Sequence, residues 1–246
     1  DYRTDDWNNL QVLHRGCLPP RPFYCGYPTL QAAAAFDRFQ SGNCTLLNGM
    51  WKFLGCACPH DAPQGFMLPE FDDSGWGCMP VPGHWQLNGF DTPHYTDATA
   101  LFPIQADPCV PAENPTGLYR THFSWSGQGE CLLRFDGVES AYHLWVNGQP
   151  VGYSEGSRLT AEFDVSPYVR QGENLLALRV YKFCTGSYLE NQDMWWLAGV
   201  IRDVSLIRRP PTHFADLRLQ AELGPGGAGL LRAELRAGGP LAGGLR

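Results

Sequence analysis

At 246 residues, with 43% apolar and 17% charged side chains, the chain is long enough to bury a sizeable core as one large domain or two smaller ones. A formal net charge of -7 argues against a nucleic-acid partner, because it offers no basic patch to phosphates, and no apolar run approaches the roughly 18–20 residues of a membrane span. Aromatic residues make up 13%, with 8 Trp, which points either to an aromatic-rich β core or to a surface that stacks on sugars.

The chain opens on DYRTDDWNNL, which is acidic, polar and unlike a signal peptide; with no initiator Met, it reads as a chain with residues missing upstream. Residues 1–45 predict an extended arm. Proline and glycine punctuate HRGCLPPRPFYCGYPT every few positions and rule out a helix there. TLQAAAAFDRF allows one or two helical turns. Such an arm needs something to lie against.

From about Leu46 to Pro210 the texture is that of short strands. LLNGMWKFLGC alternates apolar residues around Trp51 and Phe53, and GLYRTHFSW, ECLLRFDGV, ENLLALRVYKF and IRDVSLIRR follow. In AYHLWVNGQPVGYSEG, Asn147-Gly148 predicts a two-residue hairpin, since both central positions of a type I′ turn need positive φ. DVSPYVRQGEN predicts one helical turn, capped by Ser166, with Pro167 at its first position and Gly172 at its end. Strands at spacings of about 10–15 residues, with turns between them, predict an all-β antiparallel sandwich or jelly roll. Residues 211–246 then hold two alternating stretches, DLRLQAEL and LLRAELRA, joined by GPGGAG. Two strands cannot form a domain alone. They read as the first hairpin of a second sandwich, and with GGPLAGGLR as the last residues the chain reads as a fragment.

The nine cysteines are an odd number, and the one close pair, Cys56 and Cys58, has no second pair or histidine at zinc spacing. Free, mostly buried thiols and a reducing cytoplasm are the expectation. The sequon at Asn43 matters only in a secreted chain. Phosphate loops, nucleophile elbows and metalloprotease motifs are absent, and the seven histidines are dispersed. Asp72-Asp73 predict a turn cap ahead of Trp76. Glu190 and Asp193 lie three apart on one stretch; sequence spacing does not show a facing carboxylate pair of a glycosidase, and a pair this close is seldom one.

ENQDMWWLAG places a carboxylate, Asp193, directly before Met194 and two tryptophans, Trp195 and Trp196. Two readings stand open from the residues. In one, Asp193 caps a turn or pairs with an arginine such as Arg202 while both indoles pack in the core. In the other, a loop carries the carboxylate to a rim, where it accepts hydrogen bonds from sugar hydroxyls or binds a cation, and the indoles supply an apolar platform.

VPGHWQLNGFDTPHYTDATALFP, VPAENPTGLYRTHF, FDGVESAYHLWVNGQPVGYSEGSRLTAEFDVSPYVRQGENLLALRV and GSYLENQDMWWLAGVIRDVSLI together resemble the amino-terminal part of bacterial β-galactosidases of glycoside hydrolase family 2. The resemblance runs in order from about Trp7 to Pro211. It implies a galactose-binding-like jelly-roll domain, an immunoglobulin-like sandwich beginning after it, and a catalytic TIM barrel outside these residues. That barrel would carry the catalytic glutamates and the Mg2+ ligands, so the resemblance implies no catalytic residue in this chain. It further implies that Asp193, in NQDMW, contacts galactosyl hydroxyls and coordinates Na+, and that Asp97, in YTDATALFP, stands where the family usually has an asparagine that binds sugar. The implied substrate is a β-galactoside, and the implied assembly is a homo-oligomer completed by the rest of its own chain. A free-standing carbohydrate-binding module and a scaffold that binds no sugar are the rival readings.

Overall fold

The computed structural model describes residues 5–97, 99–103 and 110–239, which leaves Cys109, the first four residues and most of the GGPLAGGLR stretch outside the described residues. Within them the protein is an all-β antiparallel sandwich of jelly-roll type with almost no helix. One sheet has seven strands, in the order His14–Arg15, Gln149–Glu155, Ala141–Val146, Gly172–Tyr181, Thr116–Trp125, Gly49–Cys56 and Gly77–Val81. The facing sheet has four, in the order Ala161–Asp164, Glu130–Phe135, Val204–Arg209 and Cys44–Leu46.

Period-two alternation sends one set of side chains from each sheet into a shared core. Trp51, Tyr119, Leu144 and Leu178 come from the larger sheet, and Leu133, Phe135, Phe163 and Leu206 from the smaller one. Each such burial stabilises the fold by about 1.5–3 kcal/mol. The outer face of the seven-stranded sheet is covered too. Trp145, Leu118 and Ala177 pack beneath Phe66, while Tyr153 and Tyr181 pack with Trp7, Phe183 and Trp196. With both faces buried, the central strands read as near-continuous apolar runs.

The hairpin at Asn147-Gly148 forms as the residue types demand, with φ of 52° and 79°. The turn after Asp164 differs from the sequence expectation. Val165, through its carbonyl, accepts from the amides of Tyr168 and Val169, whereas the Ser166 hydroxyl donates to Asp164 and accepts from the Cys131 amide. Ser166 thus ties two strands of the small sheet together and caps no helix, and Gly172, at φ 94°, opens the next strand. The carboxylate of Asp72 caps the Ser74 amide, while Asp73 makes a 2.6 Å ion pair with buried Arg120.

Among the described residues up to position 45 only Leu30–Ala34 is α-helical, capped by the Thr29 hydroxyl on the Ala32 amide, with 3-10 turns at Asp6–Asn8 and Arg38–Ser41. Asp6 anchors the start of this stretch on the sheet. Its carboxylate takes two hydrogen bonds from Arg15 and lies 3.2 Å from the buried His143 ring. Trp7 stacks on Tyr181 with ring centroids 5.9 Å apart. Beyond the sandwich, His213–Leu223 and Gly229–Gly238 form an antiparallel hairpin whose apolar residues Leu219, Leu223, Leu231 and Leu235 are exposed. No helix among the described residues is long and apolar enough to cross a membrane.

Candidate functional site

Asp193 sits at the mouth of a two-stranded antiparallel ribbon that stands apart from both main sheets. His94–Thr96 pairs with Met194–Trp196, with Trp195 opposite Tyr95 and Met194 opposite Thr96. Asp97 and Asp193 each lie one residue beyond the Met194–Thr96 pair, at the same end of the ribbon. The fold therefore places at one end of the ribbon the two site residues singled out in sequence, which lie almost a hundred positions apart. Both are exposed.

The two tryptophans after Asp193 have opposite fates, as the alternation of a strand requires. Trp196 is buried beside Phe183 and donates from its indole nitrogen to the Thr96 hydroxyl at 2.6 Å. Trp195 faces outward, 57% exposed, and leans on Tyr95, itself 52% exposed, with ring centroids 5.6 Å apart. The reading with both indoles in the core is thus not what the chain does. Nor does Asp193 pair with Arg202, whose guanidinium donates to the Arg158 carbonyl at 2.9 Å. Instead the Tyr95 hydroxyl donates to Asp193 Oδ1, and that carboxylate raises the Tyr95 phenol above its ordinary ionisation range. Tyr95 carried no signal of its own in sequence, because only the pairing of two distant strands brings it to Asp193.

The ribbon is held from behind by buried groups. The Trp85 amide donates to the Ala198 carbonyl at 2.9 Å, the Ala198 amide to Gln86 at 3.0 Å, and the Gly83 amide to Val200 at 2.8 Å. Trp85 itself is fully buried and donates to the Tyr119 hydroxyl at 2.5 Å. Gly117 leaves room for that indole: a Cβ there would stand 2.5 Å from the Trp85 ring and 2.8 Å from Phe53. On the flank, Arg158 spans from Glu139 at 2.7 Å to the Met194 sulfur at 3.4 Å. Burial pushes the Glu139 carboxyl up to about 7, against the pull of Arg158. Phe102 closes the far side, packed edge-on against Tyr188 and Phe183.

The result is an open wall. A cavity of about 350 Å³ beside Cys25 is lined by other residues, and one of about 540 Å³ beside Trp7 meets the site at Phe102 alone. An exposed carboxylate oriented by a phenol, next to an exposed indole, offers hydrogen-bond acceptance and an apolar platform side by side. That combination suits the hydroxyls and C–H faces of a sugar. Among the described residues, no group of three or more His, Cys, Asp or Glu could hold a metal ion. Asp193 fits a hard cation as one ligand among donors supplied from elsewhere.

Comparison with known proteins points the same way. Residues 44–210 match the family described as glycosyl hydrolases family 2, sugar binding domain. A beta-galactosidase of Enterobacter cloacae is 45% identical over 245 residues, which cover 97% of this chain and 23% of that protein. A beta-galactosidase of Vibrio cholerae serotype O1 is 43% identical over 223 residues, covering 89% of this chain and 21% of that one. The chain thus spans about a fifth of the length of these curated relatives. Among solved structures, a beta-glycosidase from Bacteroides vulgatus aligns over 80% of this chain and 24% of its own, with a TM-score of 0.61 at 22% identity. A beta-glucuronidase from Bifidobacterium dentium aligns over 80% of this chain and 36% of its own, with a TM-score of 0.61 at 19% identity.

Proposed function

This chain belongs to glycoside hydrolase family 2, and from that premise we propose that it is the amino-terminal part of a retaining β-galactosidase, forming one wall of the galactose pocket. The observation that carries this reading is Asp193, exposed at the mouth of a rigidly backed ribbon and fixed by the Tyr95 hydroxyl. The acid, the nucleophile and the Mg2+ ligands belong to a barrel beyond these residues, and this chain alone does not hydrolyse its substrate.

In this reading Asp193 accepts hydrogen bonds from galactosyl hydroxyls through its carboxylate oxygens, and Tyr95 restricts the carboxylate to one orientation. Trp195 presents its indole to the apolar face of the sugar. Asp97, acceptor-only where an amide would both donate and accept, adds a second acceptor on the opposite strand. Such residues contribute orientation, which lowers the barrier without bond chemistry of their own. Asp193 would also be one ligand of a Na+, which when bound supplies a fixed positive charge for sugar hydroxyls to align against. The complete protein works as a homo-oligomer in the cytoplasm, a setting that suits the eight free thiols among the described residues.

Hydrolysis of an aryl β-D-galactoside by the complete gene product, set beside the isolated 246-residue chain, tests the proposal. The expected result is turnover by the complete protein, with neither turnover nor millimolar sugar affinity in the chain alone. Sugar binding by the isolated chain, with no galactosidase activity in the complete product, would identify a carbohydrate-binding module instead.

A further inference from the structure

A second piece of chemistry lies far from the ribbon, where the first forty-five residues cross the edge of the four-stranded sheet. Cys25, in that crossing segment, and Cys44, at the start of the edge strand, share a small cluster with Leu132 and Ile207, closed by Leu18 and Phe23. The two thiols are neighbours in that cluster. Both backbones are held in place. Asn43 donates to the Gly26 carbonyl at 3.1 Å, Tyr24 to the Phe214 carbonyl at 2.5 Å, and Arg21 makes two bonds to Glu162 at 2.8 and 3.0 Å. Cys44 is paired with Ile207 in the sheet. We propose that Cys25 and Cys44 are a redox-active dithiol, which a small peroxide oxidises to a disulfide that ties the amino-terminal segment to the sandwich.

The surroundings assign the two roles. The neighbouring Cys44 thiol draws the Cys25 pKa down to about 7; burial opposes this, while the Ser41 hydroxyl and the Arg38 and Arg21 guanidiniums reinforce it. Cys44 is correspondingly pushed up by the neighbouring Cys25 and by burial, so it keeps its proton. Cys25 is only partly buried and lines the cavity of about 350 Å³, through which a small oxidant reaches it. Burial holds Cys17 and Cys56 up at about 11 and Cys131 at about 12, which leaves little thiolate on them near neutrality.

In the first step the Cys25 thiolate attacks one peroxide oxygen. The O–O bond breaks, the leaving oxygen takes up a proton, and Cys25 becomes a sulfenic acid. Cys44 then attacks the Cys25 sulfur and gives up its proton. The S–O bond breaks and water leaves. The two thiols supply the two electrons that reduce the peroxide, and the products from hydrogen peroxide are one disulfide and two waters.

The test treats the whole 246-residue chain with equimolar hydrogen peroxide at pH 7, blocks remaining thiols with N-ethylmaleimide, and maps non-reduced peptides by mass spectrometry. The expected result is a Cys25–Cys44 linked peptide, lighter by two hydrogens than its parts and lost on adding dithiothreitol. In Cys44→Ala the link disappears and a sulfenic acid at Cys25 is trapped by dimedone. Recovery of both residues as free thiols in the unsubstituted chain, or a disulfide of either with a different cysteine, overturns the proposal.

Discussion

The Tyr95 hydroxyl donates to the Asp193 carboxylate across the ribbon, between residues 98 apart in the chain. The phenol fixes an acceptor that would otherwise sample several rotamers on an exposed loop. Its loss should therefore affect orientation and leave the fold untouched. For Tyr95→Phe in the complete enzyme, kcat/KM on an aryl β-galactoside is expected to fall roughly fivefold, equivalent to about 1 kcal/mol. Urea unfolding of the chain should shift by less than about 0.5 kcal/mol. Unchanged kinetics would show that the hydrogen bond does nothing for the sugar.

Trp195 makes the complementary prediction. Its indole is more than half exposed, so Trp195→Ala removes little that holds the fold. In the complete enzyme KM should rise several-fold with kcat nearly constant, as for binding shared by ground and transition states. Trp196→Ala should do the reverse, costing about 3–5 kcal/mol of stability because that indole lies in the core.

Gly117 shows how closely the site's backing is packed. A methyl group there would stand 2.5 Å from the Trp85 ring, whose indole nitrogen is committed to Tyr119. Gly117→Ala should destabilise the chain by about 1–3 kcal/mol in equilibrium denaturation through overpacking. A neutral substitution would mean that the Trp85 indole can retreat without cost.

Two buried groups give stability opposite dependences on pH. Burial drives the His143 ring down to about 4, although its hydrogen bond to Asp6 pulls the other way. The unfolded chain takes up that proton near the usual 6.5, so the contribution of His143 is present above 6.5 and is lost as pH falls towards 4. The full effect is roughly 3 kcal/mol. Glu139 runs the other way: pushed up to about 7, it stabilises the fold most below 4.5, and that contribution is lost as pH rises through 7. Chemical denaturation between pH 4 and 7 should therefore give a flattened profile. Glu139→Gln should make stability climb more steeply with pH, and His143→Asn should make it fall.

Much of this was legible in the residues. Alternation around Trp51 and Phe53 marked a core strand, and Asn147-Gly148 marked a hairpin whose turn demands positive φ at both positions. Asp193 stood out because a carboxylate beside two indoles is a poor fit for an ordinary core. What local pattern did not carry was pairing. That Trp195 faces out while Trp196 faces in depends on which strand the segment joins, and Tyr95 reaches Asp193 only through that strand. The Ser166 hydroxyl was misread for the same reason: its partner, the Cys131 amide, lies 35 residues away on another strand.

The most direct measurement is kcat/KM of the complete enzyme on an aryl β-galactoside with Asp193→Ala, together with thermal unfolding of the same protein. An exposed carboxylate that orients the sugar predicts a fall of about 10–150-fold, the 1.5–3 kcal/mol of a hydrogen bond to a charged group, with the unfolding midpoint unchanged. Full activity in the variant would contradict the account and leave Asp193 as a surface residue bonded to Tyr95 and nothing more.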